Sequence, residues 1–480
     1  MDSKRSTASS DTHKFLLAIV LCGIILRFVQ QFIYPVFNVD EVELGRNITD
    51  RNFAQLLFPL QSYQSCPPLY LLLQKTIITI FPVPVWVGLK LFSFLISIVT
   101  SLLFYRIVVR NYTFLVAVML MVMFTFNPFI AYNMLTLKQY SIDLFGILLL
   151  VNFYRNLSFQ KHIALFFMVW CLFSNAGLFG CAGYLLYLFT LEKDRFRISV
   201  LWHFIRKNIL TFLAPLPYLI YFHWFMQQEG ALELKAFMQE YWATSFIPLN
   251  AGIFKYTFYL IHSFCVFLLD AVLPVGALLL GIFVYGCYCY LTKKAEIKKG
   301  ISLLLFIIAI HLVLNLIHLY PISDRLFLYM APFFLFVLGL GLQEIIGFKF
   351  GKIILSLLIL ATITSYAFYS VERDNNVVSV YRNLTKIEGL HSIYASEKAI
   401  FKISAFDDLT ENYFAPKQPL QLIPIDAKLD KADYLVTRIT HKFGPDKISD
   451  EVPEITKLIH EKKIILHFKT DGYNIYKVNK

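Results

Sequence analysis

The sequence predicts an all-α polytopic membrane protein of about eleven transmembrane helices, followed by a small extracytoplasmic α/β domain. Two observations carry this. The 480 residues are 58% hydrophobic and 17% aromatic with only 16% charged, the mean hydropathy is +0.61, and apolar runs near the length of a bilayer crossing recur to about residue 370. From about Val371 the composition turns polar and charged. The chain therefore divides into a membrane domain, residues 1–370, and a soluble α/β domain, residues 371–480.

The N-terminus is short and polar, with Lys4, Arg5 and Lys14 ahead of an apolar run from Phe15 to about Phe37. No small-residue cleavage site follows, so this run reads as a retained anchor with its N-terminus in the cytoplasm. The chain exits near Tyr34. Leu69 to Phe81 is apolar but fenced by Pro67-Pro68 and Pro82, and carries Gln74 and Lys75. About 13 helical residues reach only about 20 Å against a hydrocarbon core of about 30 Å, so this helix is expected to be re-entrant or interfacial. Val85 to Tyr105 then crosses to Arg106 and Arg110 on the cytoplasmic side. Counting Leu69 to Phe81 as a crossing would put those arginines outside.

Tyr112 to Tyr132 goes out, and Tyr140 to Tyr154 returns to Arg155 and Lys161. His162 to Leu191, broken at Ser174-Asn175-Ala176-Gly177, reads as two short helices, out and back to Lys193, Arg195, Arg197, Arg206 and Lys207. Ile209 to Phe225 leads to an external loop from Gln227 to about Tyr256. Asp270 to Leu291 returns to Lys293 and Lys294, Ile301 to Leu319 goes out, Leu326 to Leu342 returns to Lys349 and Lys352, and Ile353 to Tyr369 exits. In the tail, Asp433 to Thr437, Ile464 to Phe468 and Gly472 to Val478 read as strands and Glu454 to Glu461 as a helix. Nothing in the tail looks catalytic.

The net charge of +12 lies in short connections between spans, the pattern of positive-inside topology, and this speaks against a nucleic-acid partner. Seven cysteines, Cys22, Cys66, Cys171, Cys181, Cys265, Cys287 and Cys289, sit mostly in apolar runs. They make no disulfide framework, and Cys287 and Cys289 point to different faces of a helix, a poor metal pair. No internal repeat of the transporter kind is visible.

Asp40-Glu41, just past the first span in Asn38-Val39-Asp40-Glu41-Val42-Glu43-Leu44-Gly45-Arg46-Asn47, is the most informative feature. Carboxylates at the surface of a multi-span protein are costly to desolvate and usually functional, although acids also favour helix starts. Asp143 begins the fourth span in Leu137-Lys138-Gln139-Tyr140-Ser141-Ile142-Asp143, and Arg325 lies in Tyr320-Pro321-Ile322-Ser323-Asp324-Arg325. All fall on the same expected face. A carboxylate base with cations on the same face could take a proton from a nucleophile and hold a departing anion. Lys75 is also explained by snorkelling. His311 and His318 share a helix face and read as structural. Asn47-Ile48-Thr49 matches a glycosylation sequon, a frequent chance match.

Asp40-Glu41 with the later Cys66-Pro67-Pro68-Leu69-Tyr70-Leu71-Leu72-Leu73 resembles the signature of the GT-C superfamily of integral-membrane glycosyltransferases. The nearest likeness is to its protein O-mannosyltransferase and aminoarabinose-transferase branch, over roughly residues 15 to 345. The resemblance implies a GT-C-like fold and an inverting glycosyltransferase taking its sugar from a polyprenyl-phosphate donor. It implies Asp40 as catalytic base, with Glu41 and Asp143 shaping and polarising the site. Arg46, Lys75, Lys138, Tyr140 and Arg325 would bind substrate, Arg325 and Lys138 at the phosphate. Arg46-Asn47 matches the family's Arg-Asn, whereas Cys66 stands where the family usually has His or Lys. The acceptor would be a protein, lipid or glycan at the extracytoplasmic face of a bacterial inner membrane. A divalent cation is an open possibility, without a metal motif. A transporter or lipid flippase using the same carboxylates is the alternative, and would predict charges facing a midplane cavity.

Overall fold

A computed structural model describes residues 10–33, 35, 37–247, 273–371, 380, 384, 392–395, 421–424, 434–441, 447–449, 453–470 and 473–479. The chain is a multi-pass membrane protein. Among the described residues, four helices are long and apolar enough to cross a bilayer: Asp11–Ile33, Val85–Asn111, Lys298–Leu316 and Arg325–Ile345. Phe114–Phe126 and Pro128–Leu135, bent by 51° at Asn127, make a fifth if taken as one span. The bend has a local cause. Pro128 opens the second helix, and the Asn127 side chain accepts from Ile130 N to cap it. The other expected spans coincide with shorter apolar helices.

In chain order the helices are α1 (Ser10–Phe28), α2 (Val39–Asp50), α3 (Pro68–Ile80), α4 (Val85–Asn111), α5 (Phe114–Phe126), α6 (Pro128–Leu135), α7 (Tyr140–Phe153), α8 (Leu157–Lys161), α9 (Ile163–Phe173) and α10 (Ala176–Leu191). There follow α11 (Ile198–Lys207), α12 (Ile209–Leu213), α13 (Leu216–Phe225), α14 (Ala231–Tyr241), α15 (Leu273–Thr292), α16 (Lys298–Leu316), α17 (Ala331–Ile345), α18 (Gly351–Val371) and α19 (Pro453–His460). Helix α3 has 13 residues, too few to cross. The expected break in His162–Leu191 falls between α9 and α10, at Ser174 and Asn175. Lys4, Arg5, Tyr34, Tyr256 and Asp270, used in the span reading, and Cys265 lie outside the described residues.

The chain forms two compact units. The first comprises Met1–Arg27, Arg51–Gln74 and Leu91–Tyr366. Its centre is α17, which is apolar along its length and enclosed by protein from Ala331 to Leu342. Two buried polar groups are tied within this unit: Arg27 of α1 donates to Ser101 Oγ of α4 at 2.6 Å, and Tyr112 donates to the Phe336 carbonyl of α17 at 2.7 Å. Helices α7, α9 and α10 meet around Trp170. A Cβ at Gly146 or at Gly180 would lie 2.2 Å and 2.4 Å from the indole, so glycine is required on both sides of the ring.

His311 is buried in α16, with Tyr329 OH at 2.5 Å from Nδ1 and the Pro321 carbonyl at 3.1 Å from Nε2, a structural role. His318 does not share its helix face: α16 ends at Leu316, and His318 lies beyond it in the left-handed region at φ 56°.

The second unit comprises Phe28–Asp50, Lys75–Lys90 and Ala367–Lys480. Its described strands are β1 (Ser392–Ala395), β2 (Gln421–Pro424), β3 (Tyr434–His441), β4 (Lys447–Ser449), β5 (Ile464–Thr470) and β6 (Tyr473–Val478). They run in the order β2-β1-β3-β6-β5, with β4 on β3. β1 is parallel to β2 and β3, and the β3–β6 and β6–β5 pairings are antiparallel. β3 is the middle strand, and Leu435, Val436 and Thr437 on it are fully buried, as expected where both faces are covered. The expected strands and helix of the tail are all present.

Candidate active site

In the second unit, α2 begins with a reciprocal cap. Asn38 Oδ1 accepts from Glu41 N at 2.9 Å, and Asn38 N donates to Glu41 Oε2 at 3.0 Å. This is a capping box written Asn-Val-Asp-Glu, satisfying two amides that a helix start leaves open. The other carboxylate oxygen of Glu41 takes a 2.6 Å hydrogen bond from Lys90 Nζ of α4. That ammonium also lies 4.2 Å from the centroid of the Phe37 ring. The two members of the carboxylate pair therefore differ: Glu41 is buried against Lys90, and Asp40, in the first turn, is only half-buried.

Asp40 sits where the helix dipole favours the anion. At the far end of α2, Lys75 Nζ donates to the Thr49 carbonyl at 2.8 Å, the complementary placement for a cation. Lys75 thus holds the helix end. Arg46 is half-buried on the same helix. Asn47 is 2% exposed and its Nδ2 donates to the Glu43 carbonyl, so the sequon is closed to modification in this fold.

In the first unit, a cleft of about 110 Å³ is lined by Gln64, Ser65, Cys66, Asn175, Tyr218 and Tyr221, with Phe222, Phe225 and other apolar residues around them. Lys138, buried, donates to Gln64 Oε1 at 2.6 Å. Cys66 Sγ approaches Gln139 Oε1 at 3.6 Å. The loop delivering Gln64 is strained: Ser62 and Tyr63 both take positive φ, 56° and 52°, at roughly 1–3 kcal/mol each for residues bearing a Cβ. Burial pushes the Cys66 thiol up to about 12, with Lys138 opposing and Asp143 adding to the rise.

Asp143 is buried in the first turn of α7 and accepts a short hydrogen bond from Ser174 Oγ. Ser174 Oγ in turn accepts from Ala176 N, the first amide of α10, at 3.0 Å. The helix break therefore supplies the carboxylate's partner. Beside it, Tyr218 donates to Asn175 Oδ1 at 2.8 Å. Tyr320 is held well above the usual phenol range by burial, then by the charges of Asp143 and Tyr140. Tyr140 is buried at the start of α7. Arg325 is half-buried, its guanidinium 5.4 Å from the Trp242 ring centroid.

The first unit thus gathers Lys138, Tyr140 and Asp143 with Gln64, Cys66, Ser174 and Asn175, and the second gathers Asp40, Glu41, Arg46 and Lys75 with Lys90. Sequence reasoning missed Lys90, Gln64, Ser174 and Tyr218 as site members. Lys90 carried a usable signal, since a lysine five residues into an apolar span needs a partner. Among the described residues no three His, Cys, Asp or Glu side chains gather to hold the divalent cation that the resemblance leaves open.

No family model and no curated protein matches the chain. Solved structures do. The chain is similar to the archaeal oligosaccharyltransferase AglB from Archaeoglobus fulgidus in complex with an inhibitory peptide and a dolichol-phosphate. That likeness has 10% identity and a TM-score of 0.44, over 90% of this chain and 70% of that one. It is also similar to ArnT from Cupriavidus metallidurans bound to undecaprenyl phosphate, at 12% identity and TM-score 0.38, over 97% and 98% of the two chains.

Proposed function

We propose that the chain is an inverting glycosyltransferase that moves a sugar from a polyprenyl-phosphate donor to an acceptor hydroxyl at the extracytoplasmic face. The observation carrying this reading is the division of labour within the carboxylate pair. Glu41 and Lys90 fix the start of α2 from within the fold, and Asp40 is presented half-buried at the same helix start. A base needs such a setting, firmly positioned yet reachable by substrate.

In the proposed reaction the acceptor oxygen attacks the anomeric carbon from the face opposite the phosphate. Its proton passes to Asp40 as the bond from carbon to phosphate oxygen breaks. The polyprenyl phosphate leaves with the bonding electrons, and its charge falls to the cations that the motif resemblance assigns to it, Arg325 and Lys138. The cleft's polar groups at Gln64 and Asn175 and its aromatic surround offer hydrogen-bonding and stacking surface of the kind that sugar recognition uses.

The test is turnover by the purified full-length protein of a panel of polyprenyl-phosphate sugars, read by mass spectrometry as acceptor-dependent release of polyprenyl phosphate. Lipid-linked products of a deletion strain would identify the sugar. Release of none of the donors, together with an unchanged glycolipid profile on deletion, would overturn the reading.

A further inference from the structure

Asp143 lies in the first turn of α7, and a second cavity opens near the last. It measures about 350 Å³ and is lined by Arg106 and Arg110 of α4, Asn152 and Phe153 of α7, and Arg155 and Glu296 among others. Its size falls within the range of about 300–1,000 Å³ usual for ligand pockets. None of these residues takes part in the chemistry proposed above.

Three guanidiniums face one carboxylate here. Arg106 and Arg110 are four residues apart in the last turns of α4, hence on one side of that helix. The Arg106 guanidinium lies 4.9 Å from the Phe153 ring centroid. Arg155 donates to Glu296 Oε2 at 3.0 Å and lies 5.5 Å from the Tyr154 ring centroid. Arg110 has no hydrogen bond or ion pair among the described residues. Asn152 Nδ2 is buried with no acceptor. Complementing the helix dipole accounts for basic residues at the end of α4. It accounts neither for a hollow between them nor for a buried amide donor left unsatisfied, which is costly unless an acceptor arrives.

We propose that this cavity binds a phosphate group at the membrane boundary. Arg106 and Arg110 would offer paired N–H donors, with Asn152 a further donor. Two sources present that chemistry: the headgroup of an anionic phospholipid, which basic pockets between membrane helices favour, or a soluble phosphate. The cavity shares no lining residue with the Gln64 cleft, and the proposal stands whether or not the chain transfers sugar.

The experiment uses the full-length protein in detergent, with phosphatidylglycerol, phosphatidylcholine and inorganic phosphate as probes and native mass spectrometry as readout. Wild type should retain phosphatidylglycerol over phosphatidylcholine. Arg106→Gln/Arg110→Gln should lose roughly thirtyfold of that retention, for two guanidiniums at a lipid surface. Retention of inorganic phosphate without lipid preference, lost in the same variant, assigns the site to a soluble phosphate. Should the double variant fold poorly, Asn152→Asp keeps the shape and adds a negative wall, and should lower retention of either probe at least tenfold. Equal retention of all probes by wild type, the foldable arginine variant and Asn152→Asp overturns the proposal.

Discussion

Lys90 Nζ stands 2.6 Å from Glu41 Oε1, and the two side chains are 2% and 1% exposed. A buried pair of this kind costs desolvation of both charges, and breaking it by removing one partner leaves the other uncompensated, at about 3–5 kcal/mol. Lys90→Met should therefore lower the thermal unfolding temperature of the detergent-solubilised protein sharply. Adding Glu41→Gln should recover much of the loss, since glutamine keeps the capping box and carries no charge. A double variant no more stable than Lys90→Met would show that the pair is not the cause.

Asp40→Asn should leave folding intact and reduce glycosyl transfer by about 10²–10⁴-fold, the usual worth of a positioned general base. The substitution preserves shape at the first turn of α2 and removes only the proton acceptor. Near-normal turnover of a polyprenyl-phosphate sugar by the purified variant would remove Asp40 from the mechanism.

Arg325 bears on donor binding. Guanidinium holds phosphate through two parallel hydrogen bonds, whereas an ammonium is a point charge. Arg325→Lys should raise the apparent KM for donor, and Arg325→Ala should raise it further, with kcat less affected. Identical donor titrations for wild type and Arg325→Ala would leave Lys138 as the phosphate ligand to test.

Cys66 carries a pH dependence whose direction follows from its burial. Its thiol is pushed up to about 12 from an ordinary value of about 8.5, so the neutral form is retained across the physiological range. The folded state binds this proton more tightly than the unfolded chain does. The thiol's contribution to stability is thus complete below about pH 8.5 and falls as pH rises toward 12. Iodoacetamide should modify Cys66 slowly at pH 8, and the rate should climb about tenfold per pH unit up to about pH 11. A rate already level at pH 9 would contradict the raised value.

The topology has its own check. Val83, exposed between α3 and α4, is expected on the external side because α3 is too short to cross. In a variant lacking the native cysteines, Val83→Cys should react with an impermeant maleimide in intact cells or spheroplasts. Reaction only after the membrane is opened would reverse the assignment.

Apolar run length made most of the fold legible in the sequence. α3 begins at Pro68, one residue before the expected Leu69, because paired prolines favour the first helical turn. Strands β3, β5 and β6 follow from alternation and turn residues. His318 was misplaced because nothing in Asn315-Leu316-Ile317-His318 marks the left-handed residue that follows the helix. The carboxylates were legible as costly charges, but their partners were not. Glu41 meets Lys90 across 49 positions and Asp143 meets Ser174 across 31, and no local pattern encodes such pairings. The split between the members of the Asp40-Glu41 pair is written locally, in Asn38 three residues before Glu41, and a capping-box reading would have found it.

The ring of Trp170 occupies the space that a methyl group would need at both Gly146 and Gly180. These three positions, on three different helices, are therefore bound to a common evolutionary fate. A lineage that gains alanine at either glycine has to shrink the residue at 170 in the same step or soon after, and one that has already lost the indole is free to drift at both. The triplet should consequently change as a block among relatives of this chain. Its state can then date a divergence within the group even where the surrounding apolar residues have been exchanged too freely to align.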